Sequence, residues 1–325
     1  MSGMLFGDYS DYVRGCVILC CLVLPYVSLI LGVIRITFRL RGRHRLAYRY
    51  MFSPRRLSRM VAGTLLMVLI LVLFEEMFTS IKSAFSNSGF GYDAAFANID
   101  KFLHFGHAPV KWLLPAQSDL ALRIIEFNYD EVWVTIWLGM LYWIVTSPRA
   151  DGVRIRYCLT FFLVWAMVGN VAAGLFPTAG PAFYGLVTGD MSRFAKLHAF
   201  LDGSSSATAL TQRYLWSLHQ QGISGLGAGI SAFPSMHVAI TAMGSLFMAE
   251  RHPRLGVIGA VYTGVIMVSS VYLGWHYAID GYVAVLMTIG IYSAMRYGPA
   301  LFTLPAVRRV LQGVPGRRSP GLAEA

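Results

Sequence analysis

His276 and Asp280 stand four residues apart in the segment His276-Tyr277-Ala278-Ile279-Asp280. In a helix this spacing puts both side chains on one face, one turn apart. A carboxylate so placed can accept a hydrogen bond from one imidazole nitrogen, which fixes the tautomer and makes the other nitrogen a better nucleophile. Alone, a His-x-x-x-Asp match is a small motif, and an interfacial pair that merely satisfies itself explains it as well. A second segment changes that balance. Ala232-Phe233-Pro234-Ser235-Met236-His237 opens another apolar run. Pro suits a first helical position, and the free N–H groups of a first turn favour an anion. The approach to it carries Gly222, Ser224, Gly225, Gly227, Gly229 and Ser231, whose backbone can come close to a ligand and add donors. A nucleophile, its orienting carboxylate and a general acid beside an anion site are the parts of a phosphoryl-transfer centre.

The elements that must position these residues are membrane helices. Apolar residue types make up 56% of the 325-residue chain and charged types 13%, with a mean hydropathy of +0.57. A soluble fold of this size needs far more surface charge, and the apolar runs reach the ~20 residues that cross a bilayer core. Seven spans are expected, at about 15–37, 60–80, 129–147, 157–176, 234–250, 255–275 and 278–297. The fold class is therefore all-α, a polytopic transmembrane helix bundle. Its divisions are an N-terminal span and basic loop (1–59), a membrane-embedded catalytic region (60–297) and a tail (298–325).

Charge sets the expected orientation. With the N-terminus outside, the inner segments hold 19 of the 27 Lys and Arg residues, nine of them between Arg35 and Arg59. That bias predicts N-terminus out and C-terminus in, with His237 and His276 at the outer face. Anionic lipid headgroups are the expected neighbours of the Arg35–Arg59 loop. A nucleic-acid partner is not expected, because no segment is large enough to form a soluble domain bearing a basic stripe. Cys16, Cys20, Cys21 and Cys158 lie in apolar runs and show neither metal spacing nor a disulfide framework. In the first long outer segment, Phe96, Ile99, Phe102, Leu103 and Phe105 alternate with Asp100, Lys101 and His104, the pattern of a helix lying in the interface. Trp133, Trp137 and Trp275 fit an interfacial aromatic belt.

The outer loop after the fourth span reads Phe176-Pro177-Thr178-Ala179-Gly180-Pro181-Ala182-Phe183-Tyr184. Its prolines and glycine make a rigid turn, which either simply closes the loop or walls a headgroup pocket. Together with Phe-Pro-Ser-Met-His and His-Tyr-x-x-Asp, this loop resembles the type-2 phosphatidic acid phosphatase superfamily, most closely its inositol phosphorylceramide synthase branch. Ile99-Asp100-Lys101-Phe102-Leu103-His104-Phe105-Gly106-His107 resembles that branch too. The likeness runs from about residue 90 to 297 and implies a six-helix catalytic core. It also implies that His276 attacks phosphorus, that Asp280 orients it, that His237 protonates the leaving alkoxide, and that no metal or other cofactor takes part. Pro177, Gly180, Pro181, Tyr184 and Ser235 would bind substrate.

One departure bears on the reaction. The phosphatases carry a Ser-Arg pair where this chain has Ser269 and Ser270, and their upstream Lys-(six residues)-Arg-Pro motif is missing. The synthase branch is similar to this chain in lacking both. The resemblance thus favours transfer of a phospho-headgroup from a phospholipid donor to a lipid alcohol. Hydrolysis of a lipid phosphate stands as an alternative, and a non-enzymatic lipid transporter or scaffold as another. Backbone amides near Ser235 and one of Lys196, Arg213 or Arg193 are candidates to neutralise the phosphate. A bacterial inner membrane, with the site on its periplasmic face, is the expected location.

Overall fold

The computed structural model describes residues 18–39, 44–86, 89–204, 206–223 and 229–302, the side chains of 39, 72–86 and 299–302 excepted. Ser224, Gly225 and Gly227 of the glycine-rich approach, and the tail from residue 303, lie outside the described residues. Every regular element among the described residues is helical. Helices of nine residues or more are numbered α1 Leu24–Arg39, α2 Pro54–Ser86, α3 Asp93–Leu103, α4 Asp119–Phe127, α5 Trp133–Thr146, α6 Arg154–Val164, α7 Ala195–Gly203, α8 Ala207–Gln221, α9 Met236–Arg251, α10 Pro253–Tyr272 and α11 Ala278–Phe302. A π-helical turn, Asn128–Val132, joins α4 to α5, and another, Trp165–Ala172, continues α6.

Four stretches are long and apolar enough to cross a bilayer: Leu19–Phe38, Arg154–Leu175, Pro253–Tyr272 and Ala278–Gly298. They coincide with four of the seven expected spans, and the protein is an all-α membrane helix bundle. The other three expected spans are helical too. The 234–250 run is the 16-residue α9, about 24 Å long at 1.5 Å per residue and thus shorter than a bilayer core. The bundle turns apolar side chains outward: Val257, Ile258 and Val261 of α10 and Leu286 of α11 are all exposed. Lipid, not water, suits such a face.

Helices α9, α10 and α11 form the centre. His252 caps α10 by accepting from the Arg254 amide at 3.1 Å, and Pro253 opens the helix, so the chain reverses at once. The α9–α10 hairpin then packs through small residues. A Cβ at Gly259 would lie 2.6 Å from Ser245 Oγ, and one at Gly256 2.5 Å from Ala249 Cβ. Without a hydrophobic drive between helices in lipid, such close backbone approach supplies the packing.

The antiparallel order separates two ends. At one end lie the starts of α9 and α11, with His237, His276 and Asp280. At the other, Arg156 grips Glu250 at 2.8 and 2.5 Å, and the Tyr292 hydroxyl donates to the same carboxylate at 2.5 Å. Arg59 and Arg154 share Asp151, and Arg56 donates to the Thr146 carbonyl at 2.5 Å.

Candidate active site

His276 follows a tight turn in which the Ser270 carbonyl accepts from the Trp275 and His276 amides at 3.0 and 3.4 Å. Its imidazole is buried. Nδ1 lies 2.6 Å from the carbonyl oxygen of Ala232 and 3.4 Å from Asp280 Oδ2. A carbonyl can only accept, so Nδ1 carries the proton and Nε2 keeps its lone pair. The pair expected from spacing is thus present, but not on one helix face: His276 lies in the turn two residues before α11, Asp280 lies in the first turn of α11, and the shorter bond to the imidazole comes from the main chain of a different loop. Asp280, fully buried, also accepts from the Tyr277 amide at 2.9 Å.

The start of α9 meets the start of α11 directly, since the Ser235 amide donates to the Asp280 carbonyl at 3.2 Å. Ser235 is fully buried, and its hydroxyl neither caps α9 nor finds another partner among the described residues. The first-turn amides of α9 therefore keep their capacity for an anion. Those of α11 do not: Asp100 accepts from the Ala278 and Ile279 amides at 2.7 and 2.8 Å. The first turn of α9 also carries His237, whose ring lies 4.1 Å from that of Tyr129 at 13° and 4.0 Å from that of Trp133 at 32°.

Three loops are stitched around His276. Thr178 accepts from the Ala232 amide through its carbonyl at 2.9 Å and from the Phe233 amide through its hydroxyl at 3.1 Å. The Ala182 amide donates to the Gly274 carbonyl at 2.9 Å. Gly180 has φ of +92°, and a Cβ there would stand 2.6 Å from the Trp275 carbonyl oxygen, so only glycine fits so close to the backbone that leads into His276. Pro181 is buried and its carbonyl accepts from His198 Nε2 at 3.0 Å. Tyr184 is buried and Pro177 half-buried.

A second buried carboxylate holds this assembly. Asp93 accepts from the Ala179 and Gly180 amides at 2.9 and 2.8 Å and from the Tyr277 hydroxyl at 2.7 Å. Asp93 and Asp100 are seven residues apart, two turns along one face of α3, with Phe96 between them 4.6 Å from the Phe233 ring. Burial pushes both carboxyls above the ordinary aspartate value, and the amides they accept from pull the other way. The opposite face of α3 is apolar and open: Phe102 is 83% exposed while Asp100 is 3%. The helix is amphipathic, as its alternation of residue types suggested, with its acids turned to the protein and its apolar side chains turned out. His104 continues the buried face, donating from Nδ1 to the Asp100 carbonyl at 2.7 Å and accepting at Nε2 from the Tyr282 hydroxyl at 2.9 Å.

The candidate cations are Arg193, Arg213 and Lys196. Arg193 is held by Asn98 at 2.8 Å, by the Ala97 carbonyl and by the Tyr184 hydroxyl at 3.3 Å. Arg213 is exposed and paired with Asp202 at 3.0 Å. Lys196 is exposed. Sequence reasoning missed Asp93, the Ala232 carbonyl and Tyr129. Asp93 carried a signal, its seven-residue offset from Asp100 in a helical stretch. Trp133, expected in the interfacial belt, is instead buried, with Nε1 donating to the His237 carbonyl and the Thr241 hydroxyl at 3.1 and 3.0 Å. Hydropathy describes a side chain but not which way its helix turns it.

Searches of curated proteins and of solved structures find no match to the chain. The sequence profile of the PAP2 superfamily matches residues 94–294, a stretch that begins beside Asp93 and takes in the three stitched loops, both histidines and Asp280. With that match over more than half its length, this chain belongs to the PAP2 superfamily.

Proposed function

We propose that the protein is a membrane lipid phosphotransferase that moves a phospho-headgroup from a phospholipid donor to a lipid alcohol, as inositol phosphorylceramide synthases do, through a phosphohistidine. Membership in the superfamily supports a phosphatase- or phosphotransferase-type activity on lipid phosphates. The observation that carries the mechanism is the pinning of His276 Nδ1 by the Ala232 carbonyl, which leaves Nε2 as the nucleophile.

In the first half of the cycle, Nε2 of His276 forms a bond to phosphorus while the bond from phosphorus to the lipid oxygen breaks. The departing alkoxide takes the proton of His237. Asp280 and the Ala232 carbonyl share the positive charge that develops on the His276 ring. The amides at the start of α9 and the Ser235 hydroxyl face the phosphate oxygens, and Pro177, Gly180, Pro181 and Tyr184 wall the pocket. In the second half, an acceptor hydroxyl attacks phosphorus, His237 takes its proton, and His276 is released. The burial of Ser235, His276 and Asp280 favours an alcohol over water as acceptor. So do Ser269 and Ser270, both buried, at positions where phosphatases carry a Ser-Arg pair.

The same reading places the histidine end at the periplasmic face of a bacterial inner membrane and the arginine end inside, against anionic lipids. Support for it is the gathering of Arg56, Arg59, Arg154, Arg156 and Arg296 at one end of the bundle.

The test supplies purified protein in mixed micelles with a phospholipid labelled in its headgroup phosphate, with and without ceramide. Label in a new lipid, lost in His276→Ala, is the expected result. Water-soluble phosphate released from a phosphomonoester lipid, also lost in the variant, replaces the transferase with a phosphatase using the same residues. Turnover that survives His276→Ala overturns the mechanism.

A further inference from the structure

The His237 ring lies between two aromatic faces. Tyr129 stacks on it at 4.1 Å and 13°, and Trp133 lies 4.0 Å away at 32°. Trp133 is itself anchored. Its indole N–H is shared between the His237 carbonyl and Thr241 Oγ1, and the Thr241 hydroxyl donates to the same carbonyl at 2.7 Å. Tyr129 is 2% exposed, and its hydroxyl has no hydrogen-bond partner among the described residues. The two residues sit one turn apart where the π-helical turn Asn128–Val132 runs into α5. A π turn shifts the residues before it relative to those after it, and such turns cluster at functional sites. Here it lets two residues four apart both reach one ring.

We infer that Tyr129 and Trp133 are positioning residues for His237, a clamp that fixes the plane of its imidazole and receives it as a cation. The inference rests on the role of His237 proposed above. An imidazole attached to the first turn of a helix has two rotatable bonds and must point its acidic N–H at a leaving oxygen. Aromatic faces on both sides remove ring rotation about the side-chain axis and leave only in-plane directions for the N–H. The faces also carry negative charge density, which attracts a protonated ring over a neutral one. For Tyr129 the face is the contribution, because its hydroxyl makes no bond that a phenylalanine would lose. For Trp133 the face and the N–H both contribute, the latter by locking the indole to the backbone of the residue it clamps.

The chemistry offers a test that a purely structural role does not pass. A lipid alkoxide needs a proton to leave, whereas p-nitrophenolate leaves without one. In a ping-pong cycle kcat/KM for the donor reports only the first half, in which that proton is given. Phosphatidylinositol is compared with p-nitrophenyl inositol phosphate, and phosphatidic acid with p-nitrophenyl phosphate, in the full-length protein. His237→Ala is expected to lose about 10²-fold or more in kcat/KM with the lipid donor and far less with the nitrophenyl donor. Trp133→Leu and Tyr129→Leu are expected to show the same selective pattern at about tenfold or more. Tyr129→Phe, which keeps the face, restores the lipid-donor value that Tyr129→Leu loses. Equal losses with both donors, or a Tyr129→Phe variant as poor as Tyr129→Leu, overturn the clamp. A wild type that cleaves no donor, or a His237→Ala variant without donor selectivity, overturns instead the assignment of His237 on which the clamp depends.

Discussion

The nucleophile proposed here is made by a main-chain oxygen as much as by a carboxylate. Ala232 lies 44 residues from His276 in sequence and gives its Nδ1 the shorter contact, 2.6 Å against 3.4 Å for Asp280. Removing the Asp280 charge while keeping its shape therefore leaves the tautomer in place but strips away charge stabilisation. Asp280→Asn is expected to lower kcat by about 10²-fold or more, but by less than the roughly 10⁴-fold lost where neutralising such a carboxylate also leaves the histidine in the wrong tautomer. Steady-state transfer from labelled donor checks this, and a kcat within threefold of wild type would remove Asp280 from the mechanism. The closest steric fit at the site is Gly180. Gly180→Ala puts a Cβ 2.6 Å from the Trp275 carbonyl at a backbone φ of +92°. The substitution is expected to destabilise the fold by about 1–3 kcal/mol and to lower the melting temperature and kcat together.

At the scale of elements, α3 is the brace of the site. Its Asp93 and Asp100 accept four backbone amides, two from the Pro177–Tyr184 loop and two from the first turn of α11, and a tyrosine hydroxyl. Replacing either by alanine leaves buried N–H groups without an acceptor. Each substitution is expected to cost about 1–3 kcal/mol or more, with Asp100→Ala loosening the turn that carries His276 and Asp280. Thermal unfolding in detergent and donor turnover measured on the same samples would show both losses. A stable Asp100→Ala with unchanged kcat would mean that α3 merely packs beside the site. The sequence announced α3 through its alternation of apolar and charged residues, and Phe102 and Phe105 are exposed. It did not say that the acids face the protein, because alternation gives two faces without telling which is covered.

Across the whole molecule, the two ends of the bundle divide the work. The arginine end is closed by Glu250, which joins α9 to Arg156 of α6 and to Tyr292 and Arg296 of α11. Both side chains of the Arg156–Glu250 pair are largely covered, and removing one partner strands the other. Glu250→Ala is expected to lower stability by about 3 kcal/mol while leaving donor kcat per folded molecule close to wild type, since the histidines lie at the other end. Orientation is checked with single cysteines in a chain freed of its native ones. Lys196→Cys should react with an impermeant maleimide on intact spheroplasts, and Arg254→Cys only after the membrane is opened. The reverse pattern would turn the protein over in the membrane and move the site to the cytoplasmic face.

Composition alone determined that this is a helical membrane protein, because 56% apolar residues in long runs leave no other place for the backbone to satisfy its hydrogen bonds. Local spacing pointed to the pairing of His276 with Asp280, although His276 stands two residues before α11 and not on its face, and Pro234 pointed to the helix start that carries His237. Four of the seven expected spans were equally legible from length and hydropathy. Tertiary structure decided what surrounds the histidines. The Ala232 carbonyl, the Asp93–Tyr277 bond between residues 184 apart, and the Tyr129 and Trp133 faces on His237 all join segments distant in the chain. Periodicity fixes the direction of a side chain relative to its own helix axis, but the rotation of that axis toward its neighbours is set only when the helices pack.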